Sequence, residues 1–322
     1  LFRSALRPLK FHPILKQTLW GGERIIPYKE LASGLSRVGE SWELSGMPGS
    51  ESVVAEGPWA GSTLSELIGR FGAELLGKAN YARFGQEFPL LVKFIDARED
   101  LSIQVHPDDE LARKRHGKSG KCEMWYVLEA EPGASLLTGF SRPIAPAEYE
   151  RRVADNTLTD VLNRQAIASG DVFYLPAGRV HSIGKGSFIV EIQQSSDITY
   201  RIYDFDRRDA AGNSRELHTE LAREAIDFES SENSRITYAP ENNQEVRLVT
   251  TPYFTTSLYT LTARTRCDWS ATDSFVAIVL LQGSGSLTDN EGNRIDVRQG
   301  ETWLLPASTQ WTEITPHTAP LR

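Results

Sequence analysis

The sequence predicts a mainly β protein with the architecture of a β-sandwich or β-barrel. Most of the chain consists of short apolar runs of strand-like composition, which Gly, Pro, Asn and Asp interrupt. An internal repeat supports this prediction, because residues 170–181 align without gaps on residues 300–311. We therefore expect the same β-fold to occur twice in the chain.

Helical patterns are few, and we expect the helices to lie at the periphery of the β core. They cover residues 63–76, residues from about 146 to 163, and residues 214–225. In the first of these, Thr63 or Ser62 is a suitable N-cap and Gly77 is a suitable stop. The second is rich in charge and begins at Pro146, and the third is amphipathic.

The second copy of the repeat lacks the polar side chains of the first. The segment that begins at Phe275 resembles the strand that begins at Glu123, and Trp311 stands where His181 stands. We therefore interpret the C-terminal copy as a packing partner that has lost its metal ligands.

The length of 322 residues is sufficient for two ordinary domains, each with its own core. Pro, Asn and Gln cluster between Tyr238 and Asn243, which predicts a boundary there. We expect a metal-binding catalytic domain over residues 1–238, with N-terminal strands and peripheral helices, and a second domain without ligands over residues 239–322.

Composition excludes several classes of protein. The hydrophobic fraction of 40% excludes a mainly disordered chain, and the net charge of −8 disfavours nucleic acid or an anionic membrane as partner. No apolar run approaches the roughly 20 residues that span a bilayer, and the first residues lack the apolar core of a signal peptide. Only two cysteines are present, which suits a reducing compartment, so we expect a cytoplasmic protein. The first residue is not Met, which indicates that the true N-terminus is missing.

Four side chains form a candidate metal site. Gln104 and His106 are two residues apart in an alternating run, so on a strand both point to the same face. Glu123 begins another strand, and His181 follows a Pro-Ala-Gly turn. For any one of them an ordinary strand residue is the better interpretation, but the joint pattern favours a metal site. The nitrogen and oxygen ligands suit zinc, iron, manganese or nickel, and the absence of cysteine disfavours a structural zinc site.

Basic side chains occur near these candidate ligands in an otherwise acidic chain. They are Lys93, Lys121, Arg201, Arg207 and Arg208. Lys93 interrupts an apolar strand, and a lysine is rarely buried unless it has a charged partner or a function. For an isolated lysine, a solvent-exposed position at the end of the strand is the simpler interpretation. Together these cations are what an acidic protein needs to bind a phosphorylated small molecule.

Several motifs carry a resemblance to a known family. They are Leu19–Gly22, Gly39–Glu43, Phe88–Lys93, Ile103–Pro107, Lys121–Trp125, Pro176–His181 and Glu191–Arg201. With these motifs, over essentially its whole length, the chain resembles the type I mannose-6-phosphate isomerases in their short bacterial form, which are zinc-dependent members of the cupin superfamily. The resemblance implies two cupin-type jelly-roll domains with a few peripheral helices.

The resemblance also implies an activity and a set of functional residues. The expected reaction is the conversion of mannose 6-phosphate to fructose 6-phosphate through an enediol, with one zinc ion per chain bound by the four candidate ligands. It implies that Arg201 contacts the reacting end of the sugar and that Ser102 and Arg207 help to hold the phosphate. For the group that moves the proton, the sequence leaves three candidates: Lys93, Lys121 and Glu191.

Two other functions stay open at this point. Two histidines and a carboxylate also form the triad of non-haem iron oxygenases, and a non-catalytic sugar-phosphate-binding protein would keep the same pocket. The sequence does not predict an oligomeric state. Cys122 departs from the usual family motif, and a thiol beside a zinc ligand is an expected site of oxidation.

Overall fold

The computed structural model describes residues 6–229 and 233–322, and the predicted mainly β class is confirmed. The strands of the described residues are β1 (Leu9–Lys10), β2 (Ile14–Gly22), β3 (Val38–Met47), β4 (Ser50–Glu51), β5 (Leu90–Ala97), β6 (Ile103–Val105), β7 (Glu123–Ala130), β8 (Ser135–Phe140), β9 (Leu162–Ala166), β10 (Val172–Leu175), β11 (His181–Ile183), β12 (Ser187–Gln194), β13 (Tyr200–Tyr203), β14 (Arg235–Ile236), β15 (Val246–Thr250), β16 (Thr255–Leu258), β17 (Thr265–Asp268), β18 (Val276–Val279), β19 (Ser284–Asp289), β20 (Arg294–Arg298), β21 (Thr302–Leu305) and β22 (Trp311–Pro316). The α-helices are α1 (Ile25–Tyr28), α2 (Leu64–Phe71), α3 (Ala73–Leu76), α4 (Lys78–Phe84), α5 (Asp109–His116), α6 (Pro146–Ala154) and α7 (Thr219–Ala225), and a 3₁₀ turn covers Leu158–Val161.

The first predicted helix begins where the sequence indicates but is divided in two. Thr63 is the N-cap of α2, and its hydroxyl and the Glu66 carboxylate form a reciprocal capping box. Gly72, at a φ of +49°, ends α2, and α3 then runs to the stop at Gly77. The prediction of one continuous helix over residues 63–76 was therefore wrong.

The other two predicted helices are shorter than expected, and helices α1, α4 and α5 were not predicted. The helix that begins at Pro146 ends at Ala154, and β9 begins within the predicted range. Of residues 214–225, only those of α7 are helical. Of these three, α5 had a sequence signal, since the Asp108 carboxylate accepts the Leu111 N–H as an N-cap and Gly117 ends the helix in the left-handed region.

Two sheets of the larger part of the chain pack face to face. One has eight strands in the order β14-β10-β7-β12-β5-β2-β3-β4, and the other has five in the order β13-β6-β11-β8-β9. Trp125, Phe173 and Ile189 of the larger sheet pack with Leu136 and Ile183 of the smaller one in a single apolar cluster. The candidate ligands come from the same pair of sheets, so the apolar core supports the site.

Two adjacent glycines let β2 pass close to its neighbours. A Cβ on Gly21 would lie 2.3 Å from the Arg37 carbonyl oxygen, and one on Gly22 would lie 2.2 Å from the Asp96 carboxylate. Any side chain at either position would therefore force the backbone apart. This explains the glycine pair directly after Trp20, whose ring packs in the core between the two sheets.

The predicted second copy of the fold is present. A sheet in the order β1-β21-β18 lies with one in the order β17-β22-β19-β20, around a separate apolar cluster that includes Leu287, Trp303 and Leu305. Trp311 begins β22 as His181 begins β11, as the repeat predicts. The alignment of Glu123 with Phe275 is wrong by one residue, however, because Glu123 pairs with Leu175 whereas Val276 pairs with Leu305.

The first part of the chain contributes one short strand to the second copy of the fold. The N-terminal strand β1 pairs with β21 of the second copy, while β14 pairs with β10 of the first. The division between residues 238 and 239 stays a prediction. Among the described residues, no helix is long and apolar enough to cross a bilayer.

Candidate metal centre and active-site cavity

Three buried side chains meet between the two large sheets. His181 begins β11, His106 follows β6 directly, and Glu123 begins β7 in the opposite sheet. One ligand atom from each lies within 4.8 Å of those of the other two. These three candidates, chosen from sequence spacing alone, are therefore close enough together to hold one metal ion.

Both imidazole rings are oriented by main-chain carbonyl groups. The Nδ1 of His106 donates to the Ile198 oxygen at 2.8 Å, and the Nδ1 of His181 donates to the Arg179 oxygen at 2.8 Å. Each Nε2 therefore faces Glu123, at 3.6 Å from Oε2 for His106 and 3.2 Å from Oε1 for His181. This is the arrangement by which outer partners fix the tautomer of a metal-binding histidine.

The two histidines are held in the neutral form that binds a metal. Burial, with the Lys121 ammonium next in effect, holds the pKa of His106 well below its usual range. Burial also lowers the pKa of His181, although the Glu123 carboxylate works in the opposite direction. At neutral pH both Nε2 atoms therefore present a lone pair.

Gln104 lies beside this cluster on the neighbouring strand. It pairs with His181 across β6 and β11, and its Nε2 lies 3.4 Å from the His181 Nε2. Its Oε1 accepts a hydrogen bond from the Ser102 hydroxyl at 3.2 Å. A half-turn of the amide would bring the oxygen to the cluster and leave the nitrogen to donate to Ser102, so the position suits a fourth ligand.

Lys121 makes contact with two of the candidate ligands. Its Nζ lies 3.0 Å from the His106 Nε2 and forms an ion pair with the Glu123 Oε2. The other carboxylate oxygen, Oε1 of Glu123, is buried without a hydrogen-bond partner. The ammonium thus neutralises a cluster that otherwise carries a buried negative charge, which is costly without a counter-charge.

The cluster adjoins a cavity of about 630 Å³. The predicted residues that line it are Lys93, Ser102, Gln104, Lys121, Glu191 and Arg201. Residues in its wall that had received no role are Gln17, Thr18, Leu19, Trp20, Arg37, Glu40, Ile95, Leu101, Ile183, Thr199 and Arg215. Leu19, Trp20, Glu40 and Thr199 lie in the motifs that carry the family resemblance, whereas nothing in the sequence marked Arg215.

Arg207 is the one predicted substrate-binding residue that does not line this cavity. Its Nη1 donates to Asp204 at 3.3 Å, its Nη2 donates to the Asp100 carbonyl, and its Nε lies 3.6 Å from Glu99. All three guanidinium nitrogens therefore already have protein partners.

A buried ion-pair network forms one wall of the cavity. Lys93 and Glu191 face each other across β5 and β12, with Nζ 3.2 Å from Oε1, and Glu40 lies 3.7 Å from the same ammonium. The Trp125 indole donates to Glu191 Oε2 at 2.9 Å. The side chain of Lys93 is only 9% exposed, so it does not lie at a solvent-exposed end of the strand.

The charges in this network stabilise one another. Burial alone would lower the pKa of Lys93, but the Glu40 and Glu191 carboxylates outweigh it and raise that pKa above its usual value. Burial alone would raise the pKa of Glu191, but the Lys121 and Lys93 ammonium groups outweigh it and hold that pKa below its usual range. Lys93 is therefore a cation and Glu191 an anion throughout the neutral range.

Arg201 lies opposite Gln104 in the pairing of β13 with β6. Its Nη1 donates to the Glu216 carbonyl oxygen at 2.9 Å, while its Nε is buried without a hydrogen-bond partner. Burial and then the nearby Arg215 guanidinium lower its pKa. Arg201 thus places a guanidinium in the cavity wall next to a candidate metal ligand.

Cys122 points away from the metal cluster. Its side chain is in the apolar cluster on the other face of the eight-stranded sheet, and its Sγ lies 3.5 Å from the Tyr174 hydroxyl. Burial raises the pKa of this thiol to about 11. A buried thiol of this pKa is a poor target for oxidants, which weakens the expectation of oxidation at this position.

Comparison with known proteins relates this chain to one family of isomerases. The catalytic-domain model of the type I phosphomannose isomerases matches residues 9–137. The chain is 34% identical over 303 residues to the probable mannose-6-phosphate isomerase GmuF of Bacillus subtilis, an alignment that covers 93% of each protein. It is 33% identical over 302 residues to the mannose-6-phosphate isomerase of Streptococcus mutans, covering 93% of this chain and 92% of the relative.

A solved structure agrees with these relationships. The crystal structure of the mannose 6-phosphate isomerase from Bacillus subtilis superimposes with a TM-score of 0.87 at 30% sequence identity, covering 96% of each chain. Both the sequence identity and the coverage extend over nearly the whole chain, including the second copy of the fold. The chain therefore belongs to the type I phosphomannose isomerase family, whose members are aldose–ketose isomerases.

Proposed function

We propose that this chain interconverts mannose 6-phosphate and fructose 6-phosphate through an enediol, with one zinc ion bound by Gln104, His106, Glu123 and His181. One observation carries the proposal. The buried cluster of nitrogen and oxygen ligands adjoins a cavity whose wall includes Lys93 and other basic side chains. The relatives named mannose-6-phosphate isomerases support the choice of substrate.

The residues of the cluster fit a zinc ion. Two neutral imidazoles that present Nε2 toward the cluster, and one carboxylate oxygen on Glu123 without a hydrogen-bond partner, are the donor groups that zinc prefers in catalytic sites. Gln104 completes the set once its amide turns. A bound zinc ion would act as a Lewis acid that stabilises negative charge on a substrate oxygen.

Lys121 has a role that depends on the state of the site. Its ammonium contacts the His106 Nε2 and the Glu123 Oε2, which are the atoms that a metal ion requires. Metal binding must displace it, and Glu191 Oε1, 4.0 Å from its Nζ, is the nearest other anion. We infer that Lys121 then turns toward the cavity and donates a hydrogen bond to a substrate oxygen.

Glu191 is the group to which we assign proton transfer between C1 and C2. A general base must be unprotonated at the working pH, and Glu191 is a carboxylate because two ammonium groups lower its pKa. Lys93 fails this condition, since two carboxylates raise its pKa. Lys93 instead holds the Glu191 carboxylate in place across the β5–β12 pairing.

Arg201 is assigned to the oxygen on which charge develops. In the enediol step the carbonyl oxygen gains negative charge, and a donor already fixed near it lowers the barrier most when that charge is fully developed. The guanidinium of Arg201 lies in the cavity wall opposite Gln104 and is held by the bond from its Nη1 to the Glu216 carbonyl oxygen, so it is fixed close to where this charge would form. We expect Arg201→Ala to lower kcat strongly with zinc still bound.

The activity itself is tested by a coupled assay for fructose 6-phosphate with mannose 6-phosphate as substrate. Activity that disappears with a chelator and returns with zinc would support the proposal. Oxygen uptake by an iron-loaded sample without isomerisation would support the oxygenase instead. Binding of mannose 6-phosphate without turnover in the zinc-loaded protein would support the non-catalytic alternative.

The assignment of the base is tested by Glu191→Gln, which keeps the size of the side chain and its bond to Trp125. We expect kcat to fall by about 10²–10⁴-fold, and exchange of the C2 hydrogen with solvent deuterium to fall equally. Glu129→Gln is the matched control, because Glu129 is 59% exposed on the neighbouring strand β7. Retention of more than a tenth of the turnover in Glu191→Gln, with zinc content unchanged, would contradict the assignment.

A further inference from the structure

A sugar phosphate needs a fixed cation for its phosphate group, separate from the groups that act on its carbonyl end. The cavity wall holds five cations: Arg37, Lys93, Lys121, Arg201 and Arg215. Lys93 and Lys121 are buried against carboxylates at the deep end. Arg201 lies next to the candidate ligand Gln104. We therefore expect one of the remaining two arginines, Arg37 or Arg215, to bind the phosphate.

Arg215 has the geometry of a preorganised anion-binding group. Its Nε donates to Asp204 Oδ2 at 2.8 Å, and its Nη2 donates to Asp204 Oδ1. Asp204 is 5% exposed, so these two hydrogen bonds fix the Arg215 guanidinium against a buried carboxylate. Only one edge of the guanidinium is used in this way, and among the described residues no partner contacts Nη1. The other edge is left free for two parallel bonds to phosphate oxygens.

Arg207 shares the same carboxylate but lacks a free edge. Its Nη1 donates to Asp204, and its remaining nitrogens contact the Asp100 carbonyl and Glu99. Arg37, the other cavity arginine, is exposed and has no carboxylate that fixes its guanidinium within the described residues. Of the three arginines, only Arg215 combines a place in the cavity wall, a rigid support and unused donors.

Two observations fit a site for a doubly charged anion at this point. Arg201 and Arg215 line the same cavity, so their two positive charges repel each other, and a bound anion would relieve this repulsion. The side chain of Arg215 is 30% exposed, which leaves it accessible from the cavity.

We propose that Arg215 is the phosphate-binding arginine of this enzyme, in place of Arg207, and that Asp204 is the residue that positions it. The proposal deepens the proposed function and rests on it for the identity of the substrate. It assigns specificity for phosphorylated over unphosphorylated sugars to a side chain outside all the sequence motifs.

The test compares Arg215→Gln with Arg207→Gln in the full-length, zinc-loaded enzyme. The two changes are chemically identical, and both remove one arginine from Asp204. For Arg215→Gln we expect KM for mannose 6-phosphate to rise about tenfold or more, with kcat changed by less than about threefold. For Arg207→Gln we expect KM within about twofold of wild type. Arg215→Lys, which keeps the charge but loses the paired bond, should lie between wild type and Arg215→Gln.

A direct binding measurement gives a second readout that does not depend on turnover. Inorganic phosphate is titrated calorimetrically into the wild type and both variants, with thermal unfolding as the check on folding. We expect Arg215→Gln to weaken phosphate binding about tenfold or more and Arg207→Gln to leave it unchanged. Equal phosphate affinity in Arg215→Gln and wild type, or a loss in Arg207→Gln as large as that in Arg215→Gln, would overturn the assignment.

The two proposals fail in different ways. Wild-type enzyme that binds inorganic phosphate through Arg215 but does not isomerise mannose 6-phosphate would refute the proposed function and leave the phosphate site standing. Wild-type enzyme that isomerises mannose 6-phosphate, with an Arg215→Gln variant that has an unchanged KM and phosphate affinity, would refute the phosphate site alone.

Discussion

Replacement of Lys93 by methionine tests the buried ion-pair network in both its structural and its chemical role. Lys93 lies 3.2 Å from Glu191 and 3.7 Å from Glu40, and its ammonium lies 5.2 Å from the centre of the Trp42 ring. Methionine keeps much of the aliphatic stem, so the change removes charge more than volume. It leaves Glu191, whose side chain is 4% exposed, without its nearest cation.

The expected loss of stability follows from that burial. Removal of one partner from a buried pair costs about 3–5 kcal/mol, because the remaining charge stays desolvated. For cooperative unfolding of 322 residues, the entropy of unfolding is roughly 0.7 kcal/mol per kelvin, so Tm should fall by about 4–7 °C. The double variant Lys93→Met, Glu191→Gln should lose less than the sum of the two single variants, since neither member of the Lys93–Glu191 pair then stays charged without the other.

The pH dependence of this loss of stability is a second, independent test of the ion pair. The folded-state pKa of Glu191 is lowered, so its stabilising contribution is present above its unfolded pKa and is lost as pH falls through the folded pKa. That of Lys93 is raised, so its contribution is complete below its unfolded pKa and is lost as pH rises through the folded pKa. The difference in Tm between wild type and variant should therefore be largest between about pH 5 and 10. In the variant the pKa of Glu191 rises, so the acid limb of the kcat/KM profile should move to higher pH.

Scanning calorimetry and pH-dependent kinetics on the zinc-loaded proteins measure both effects. Lys16→Met is the matched control, because Lys16 packs on the same Trp42 ring at 4.7 Å and its Nζ donates to the Ser50 hydroxyl rather than to a carboxylate. We expect the control to change Tm by no more than about 1 °C, as a surface substitution does. The reasoning is refuted by a Lys93→Met variant whose Tm and acid limb both match those of wild type.

Four further changes test other parts of the structure. Removal of zinc with a chelator should abolish turnover and lower Tm, since an ion that binds only the folded chain stabilises it, and His181→Asn should copurify with less than one zinc per chain by elemental analysis. Cys122→Ser should keep turnover within about twofold, and the wild-type thiol, 2% exposed, should react with a thiol reagent only on unfolding. Lys29→Met should lower Tm by an amount similar to Lys93→Met but leave KM unchanged, because the buried Lys29 pairs with Glu43 at 2.8 Å and contacts the Gly300 carbonyl, outside the cavity wall.

The parts of the site that lie on strands were predictable because strand periodicity is local. Spacing of two residues put Gln104 and His106 on one face, and the Pro-Ala-Gly turn placed His181 at a strand start, as the structure has it. These side chains lie close to Glu123 because two sheets pack together, and residue spacing alone does not determine that packing. The family resemblance supplied that long-range information.

The parts that the sequence missed depend on long-range pairing or on irregular chain. The pairing of Lys93 with Glu191 comes from strands about a hundred residues apart, so their effect on each other's pKa had no local signal. Arg215 lies in a segment expected to be helical, where α7 begins only at Thr219. A helical interpretation would have placed Arg215 on a solvated helix face rather than against a buried carboxylate.

The duplicated fold separates the strands that carry the candidate ligands from those that form the charged wall of the cavity. In the second copy the order β1-β21-β18 corresponds to β14-β10-β7 of the first, and the turn before β22 matches the turn before β11. In the first copy the sheet then continues with β12, β5, β2 and β3, which carry Glu191, Lys93, Trp20 and Glu40. Within the described residues β18 is an edge strand and has no such continuation. The shared scaffold therefore provides the positions of the candidate metal ligands, whereas the added strands provide the charged wall of the cavity. The second copy has Val276 and Trp311 at the positions of Glu123 and His181, and among the described residues it also lacks that wall.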